Sequence, residues 1–215
     1  MEEIFFNFLI ISVFTYVLNF LYLKNNFCLD IKKSSYHKRL VGIKPIPLTG
    51  GAVILFTTIL FTQMSPQIKV FFLLIFLIGL FSDIQKLTSP KNKFLLQIIV
   101  TTILIFILDL QIERTKIFVI DGLIEIEIIN YFFVLICLLI LINGTNFIDG
   151  INTNTIGYYL AIYLSLFILK YNNILINSDY IGIIIQLLIV LYLYNFFSKI
   201  YLGDSGSFLL GIFTG

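Results

Sequence analysis

The chain of 215 residues is 59% hydrophobic and 12% charged, with a mean hydropathy of +1.02. A soluble domain averages about 45–50% apolar and about 25% charged residues, so this composition excludes an ordinary soluble domain and indicates a polytopic membrane protein. The net charge of +2 excludes little by itself, because the placement of charge matters more than its sum.

A membrane helix takes about 20 mostly apolar residues, with about 17–25 as the working range. On that ruler, spans are predicted near 4–23, 49–65, 68–84, 94–110, 130–146, 155–170 and 181–198. An eighth begins at Ser207. The expected fold is therefore all-α: a polytopic helix bundle of about seven complete transmembrane helices and the start of an eighth, in one domain over 1–215. Met1-Glu2-Glu3 leads straight into the first span without the basic region of a secretory signal peptide. Trp is absent, which leaves the interfacial aromatic role to twelve Tyr. Cys28 and Cys137 are expected to be free thiols. Two connections are long, Lys24 to Leu48 and Gln111 to Ile129. The second contains IFVIDGLIEIEI, where Asp121-Gly122 between β-favouring residues predicts a short β-hairpin at the outer membrane surface.

Lys and Arg set the orientation. Lys24, Lys32, Lys33, Lys38, Arg39 and Lys44 follow the first span and place that loop in the cytoplasm and the N-terminus outside. Alternation puts Lys86, Lys91, Lys93 and Lys199 inside as well, ten basic residues against the four at Lys69, Arg114, Lys116 and Lys170. Eight of the twelve acidic residues fall outside and read as solvated surface. The other four, Asp30, Asp83, Asp149 and Asp204, lie at or near predicted cytoplasmic helix ends. Isolated carboxylates at a membrane boundary persist only with partners, so these four mark a candidate site.

Three polar stretches sit at those ends: SDIQKL at Ser82–Leu87, NGTNFIDGIN at Asn143–Asn152 and YLGDSGS at Tyr201–Ser207. Asp and Asn supply the hard oxygen ligands that suit Mg²⁺ or Mn²⁺, and lysines beside them suit phosphate. Together they point to phosphoryl or phosphosugar transfer, with glycines at 144, 150, 203 and 206 allowing backbone approach to phosphate oxygens. The GDSG run also invites a serine-hydrolase reading, with Ser205 as nucleophile and His37, the single histidine, as base. No histidine follows Ser205, which weighs against it. A solute transporter would need ionisable residues near mid-span, and the spans carry almost none.

From about Asp30 onward the chain resembles the polyprenyl-phosphate N-acetylhexosamine-1-phosphate transferases of glycosyltransferase family 4, enzymes that begin bacterial cell-wall, teichoic acid and O-antigen synthesis. HKRLVGIKPIPLTGG resembles the family's first cytoplasmic loop through His37, Pro47, Gly50 and Gly51, with Leu48 where many members have Arg. GLFSDIQKLTSPKNKFLLQ resembles the paired-aspartate motif, including Ser89, Pro90, Lys91, Lys93 and Gln97. NGTNFIDGIN resembles the nucleotide-binding motif and NFFSKIYLGDSGSFLLG the metal motif. The resemblance implies transfer of a sugar-1-phosphate from a UDP-N-acetylhexosamine to undecaprenyl phosphate, with release of UMP.

It implies catalytic roles for Asp83, Asp149 and Lys93, and substrate contacts from Asn143, Asn152, Lys199, His37 and Ser82. Asp204 and Asn146 match positions that hold Mg²⁺, with Mn²⁺ as its substitute. It further implies a UDP-sugar, a polyprenyl phosphate lipid and a membrane as partners, with no nucleic acid; a homodimer fits as well. The setting would be the bacterial inner membrane, multi-pass, with the active site cytoplasmic. Two departures matter. Ser82 stands where the family has the first paired aspartate, and a hydroxyl cannot act as a carboxylate base. Members also continue with further spans, so this chain is expected to be a C-terminally truncated form. These departures favour the alternative of a non-catalytic relative that binds UDP-sugar or lipid phosphate.

Overall fold

The computed structural model describes residues 2–30, 45–171 and 180–213, with side chains from Phe5 onward. In chain order the elements are α1 (Glu2–Lys24), β1 (Leu29–Asp30), β2 (Ile46–Pro47), α2 (Gly50–Phe61), α3 (Pro66–Asp83) and α4 (Pro90–Leu108). They continue as α5 (Phe118–Ile124), α6 (Glu127–Ile148), α7 (Asn154–Tyr171), α8 (Ile181–Phe196) and α9 (Gly203–Phe213).

Local chemistry sets several helix ends. Prolines open α3 and α4, where the missing N–H would be unpaired anyway. Ser65 adds a cap by accepting from the Ile68 N–H. Apolar residues run all round most helices rather than along one stripe, as suits helices sealed in a bundle or facing lipid. Large apolar side chains such as Phe5, Phe6 and Phe20 on α1 and Ile140 on α6 are exposed. Hydroxyls within the bundle return to carbonyls one turn back, as Thr57 does to Val53 and Thr58 to Ile54.

Four helices are long and apolar enough to cross a bilayer: α1 from Phe5, α3, α4 and α6. The other spans foreseen in the sequence fall short among the described residues. At 12 and 16 residues, α2 and α8 are apolar but brief. The 18 residues of α7 include Asn154, Lys170 and four tyrosines.

The expected hairpin at Asp121-Gly122 is instead the short helix α5. A two-residue hairpin turn of the Asp-Gly kind needs positive φ at both central residues. Neither residue has it. The Asp121 carboxylate accepts from the Thr115 N–H and hydroxyl, both at 2.7 Å, which folds the loop back on the helix. The strands found lie elsewhere: β1 and β2 pair antiparallel, with Leu29 opposite Pro47 and Asp30 opposite Ile46.

Helix α9 is the core of the bundle, packed against α2, α3 and α6 and buried from Ser205 to Ile212. Glycines let the backbones approach. A Cβ at Gly79 on α3 would overlap the Ser205 backbone, and one at Gly211 would lie 2.5 Å from the Leu141 carbonyl oxygen on α6. This packing brings the ends of α3, α6 and α9 to one place.

Candidate functional site

At that place a cavity of about 550 Å³ opens at one end of the bundle. All four aspartates singled out in the sequence line it: Asp30, Asp83, Asp149 and Asp204. Asn146 and Asn152 line it too.

The two oxygens of Asp83, the last residue of α3, are taken up by the start of α9. Oδ1 accepts from the Asp204 N–H at 2.7 Å, and Oδ2 from the Ser205 N–H at 3.1 Å and the Ser205 hydroxyl at 2.6 Å. A carboxylate against the unpaired N–H groups of a helix N-terminus is favoured by charge-assisted bonding and by the helix dipole. Gly203 makes this possible. Its φ is +69°, and a Cβ there would fall 2.7 Å from Asp83 Oδ2. Ser205 is buried, donates to Asp83 and does not line the cavity, which weighs further against the hydrolase reading.

Lys93, in the first turn of α4, bonds to Asp204 Oδ2 at 2.8 Å and to the Ser82 hydroxyl at 3.0 Å. The Ser82 hydroxyl in turn donates to Asp204 Oδ2. The residue that replaces a carboxylate therefore touches the carboxylate matched to the metal motif. On α6, Asn146 Oδ1 accepts from the buried Ser207 hydroxyl at 2.9 Å, and that hydroxyl also reaches the Asp204 carbonyl oxygen at 3.2 Å. Ser207 fixes Asn146 beside the Asp204 turn.

The loops are stitched to each other. Asn195, buried near the end of α8, accepts from the Thr153 N–H and donates to the Ile200 carbonyl at 2.9 Å. Asn152 donates to the Ser198 hydroxyl at 2.9 Å. Thr153 and Ser198 carry φ of 64° and 52°, the left-handed region that non-glycine residues seldom occupy, so tertiary bonding holds them there. On the far side, the Tyr201 N–H donates to the Pro47 carbonyl at 3.0 Å and the Gly50 N–H to the Tyr201 carbonyl at 3.1 Å. These bonds bring the segment after β2 against the loop before α9.

Not every expected residue converges here. Asn143 faces α4, where its amide donates to Gln97 Oε1, and it also donates to the Leu139 carbonyl one turn back on α6, both at 2.9 Å. The Lys199 side chain is exposed, and its N–H closes the end of α8 by donating to the Tyr194 carbonyl. His37 lies outside the described residues. Asn195 and Ser207 fall inside the stretch that resembles the metal motif, but the sequence gives neither a role of its own. An Asn inside the apolar run YLYNFF was the available signal for Asn195. Ser207 lies in the polar stretch YLGDSGS, but nothing in the sequence assigns it a partner.

Among the described residues no three His, Cys, Asp or Glu side chains group as a metal cage. Mg²⁺ is commonly held by one or two carboxylates and keeps several waters, so Asp204 with Asn146 is a fitting donor set for it. The electrostatics agree. Four carboxylates with Lys93 bonded to one of them make a poor host for an anionic ligand unless a cation accompanies it. Residues 66–215 match the sequence profile of a family described as glycosyl transferase family 4. The matched stretch runs from α3 through α9 and leaves out the segment around Pro47 to Gly51. Among curated proteins none matches the chain.

Proposed function

Because the chain belongs to glycosyl transferase family 4, whose members pass a sugar phosphate to a polyprenyl phosphate, we propose that its cavity transfers a sugar-1-phosphate from a UDP-N-acetylhexosamine to undecaprenyl phosphate at the bacterial inner membrane. An oxygen of the acceptor phosphate attacks the phosphorus that carries the sugar. The bond from that phosphorus to the bridging oxygen of the diphosphate breaks, and UMP leaves with the electron pair. The acceptor is a phosphate monoester with its second pKa near 6, so at neutral pH it is already largely ionised and needs no strong base.

Each residue then has a task. Asp204 and Asn146 are the oxygen donors for Mg²⁺, or Mn²⁺ in its place, which supplies charge screening on the diphosphate. Lys93, bonded to Asp204 Oδ2 at the edge of the site, would offer its ammonium to phosphate oxygens of the donor. Asp149 and Asn152 hold the uridine side of the donor, in a loop kept in place by Asn195. Asp83 fixes the turn that carries Asp204 while lining the same cavity as the acceptor phosphate.

The observation that supports this reading is the convergence of four aspartates and Asn146 in one cavity, with Lys93 bonded to Asp204. Membranes containing the protein, given UDP-N-acetylglucosamine and polyprenyl phosphate, should release UMP only when Mg²⁺ is present. Release that persists in excess chelator would contradict it.

A second reading, a non-catalytic relative that binds UDP-sugar or lipid phosphate, is favoured by Ser82, a hydroxyl bonded to Asp204 where the resemblance expects a carboxylate. It predicts saturable UDP-sugar binding with no UMP released.

A further inference from the structure

The segment between α4 and α6 exposes an unusual share of apolar side chains. Gln111, Glu113, Arg114, Lys116, Glu125 and Glu127 are exposed beside them, while Asn130 is buried and Thr115 and Asp121 are half-buried, all three hydrogen-bonded within the segment. Asn130, buried in the first turn of α6, donates to the Ile112 carbonyl at 2.9 Å and the Ile124 carbonyl at 3.0 Å, and accepts from the Ile112 N–H at 2.9 Å. Asp121 takes both donors of Thr115. These bonds hold the segment in one shape, and that shape points its apolar side chains outward. Phe118 is 93% exposed, Val119 70% and Ile128 75%, with Ile117, Leu123 and Ile126 each at least half exposed.

We propose that this segment, from Ile117 through α5 to Ile128, is an interfacial anchor whose apolar side chains sit in the acyl-chain boundary of the leaflet at the end of the bundle opposite the cavity. Its position argues for lipid. It joins the far ends of α4 and α6, both long and apolar enough to cross a bilayer. The exposed surface continues without a break from Ile128 to Phe132 and Ile136 on α6, side chains that face lipid if α6 spans the membrane. Short amphipathic segments with such a face bury it about 5–10 Å into the headgroup and acyl boundary.

Charge argues against the other occupants. Residues 109–127 carry Asp109, Glu113, Asp121, Glu125 and Glu127 against Arg114 and Lys116. Two such faces brought together from two copies would repel. The same acidic balance gives no attraction to anionic headgroups, so the anchor works through apolar contact and is indifferent to lipid charge.

The test uses the chain with Cys28→Ala and Cys137→Ala, a single cysteine at Val119 (or Phe118 if the first variant does not fold), and an environment-sensitive fluorophore. Val119→Cys and, as an aqueous control, Glu113→Cys are reconstituted at high lipid-to-protein ratio in phosphatidylcholine vesicles. The probe at 119 should emit to the blue of the probe at 113, be quenched by lipid carrying a nitroxide in its acyl chain, and resist aqueous iodide. Adding phosphatidylglycerol should leave all three readings unchanged. Equal iodide quenching at 119 and 113 would overturn the proposal. So would a probe at 119 shielded from both quenchers with shielding that grows with protein density, since a second copy would then cover the face.

Discussion

Asp83 is the residue whose role changes most once its partners are visible. Sequence resemblance makes it one of a catalytic pair, while the structure has it holding three donors at the head of α9. Hydrogen bonds to a charged group are worth about 1.5–3 kcal/mol each. Asp83→Asn should therefore lower thermal stability as well as activity, and Ser205→Ala should lower stability by about 1–3 kcal/mol with partial loss of UMP release. Thermal unfolding in detergent read beside turnover checks this; an Asp83→Asn protein as stable as the parent would refute the capping role. Ser82 poses a different question. Ser82→Asp sets a second carboxylate against Asp204 and competes for Lys93, so UMP release should not rise above the parent. If the parent is silent and Ser82→Asp awakens it, the non-catalytic reading prevails. Cys28 offers a pH test. Burial pushes its thiol up to about 12, with the negative charge of Asp83 adding to the shift. An unfolded thiol ionises near 8.5, so the contribution of Cys28 to stability is intact below about pH 8.5 and is lost as pH rises toward 12. Alkylation of Cys28 should accordingly stay slow at pH 9 in the folded protein and become fast once it is unfolded. At this scale the sequence marked Asp204, Asn146 and Asp149 because their motifs are local. It could not show that Asp83 answers to Ser205, 122 positions away.

At the scale of elements, α9 depends on close approach. Gly79→Ala forces a methyl into the Ser205 backbone, and overpacking of this kind costs about 1–3 kcal/mol or more. Gly122→Ala in α5 meets nothing within 4 Å and removes a flexible residue from a helix, so it should be neutral or stabilising by about 0.4–1 kcal/mol. Comparing the two unfolding curves separates tight packing from a general dislike of substitution at glycine. The same contrast shows what was legible. Apolar length placed α1, α3, α4 and α6 well, because a bilayer imposes that length on any spanning helix. At α2 and α8 the helices are apolar but only 12 and 16 residues long, so length alone does not make them spans. Local pattern failed at α5, where turn residues suggested a hairpin and a side-chain tether from Asp121 decided for helix.

For the whole molecule, the polar motifs of α3, α4, α6 and α9 gather at one end and the α5 segment sits at the other. With the basic residues biased ten to four, the cavity end is expected to face the cytoplasm. Single cysteines replacing Lys91 and Glu125 in a cysteine-free background should label from opposite sides with an impermeant reagent, Glu125→Cys from outside, and labelling of both from outside would overturn this view. The order of motifs along the chain announced a shared site, but only the packing of α9 shows why they meet. The central claim is that this shared cavity binds a nucleotide sugar through a cation on Asp204. Calorimetric titration of UDP-N-acetylglucosamine into the detergent-solubilised protein, with and without Mg²⁺, and into Asp204→Asn, tests it most directly. We expect saturable binding that requires Mg²⁺ and is lost in a folded Asp204→Asn protein. Equal binding without the ion, or undiminished binding in Asp204→Asn, would contradict the account.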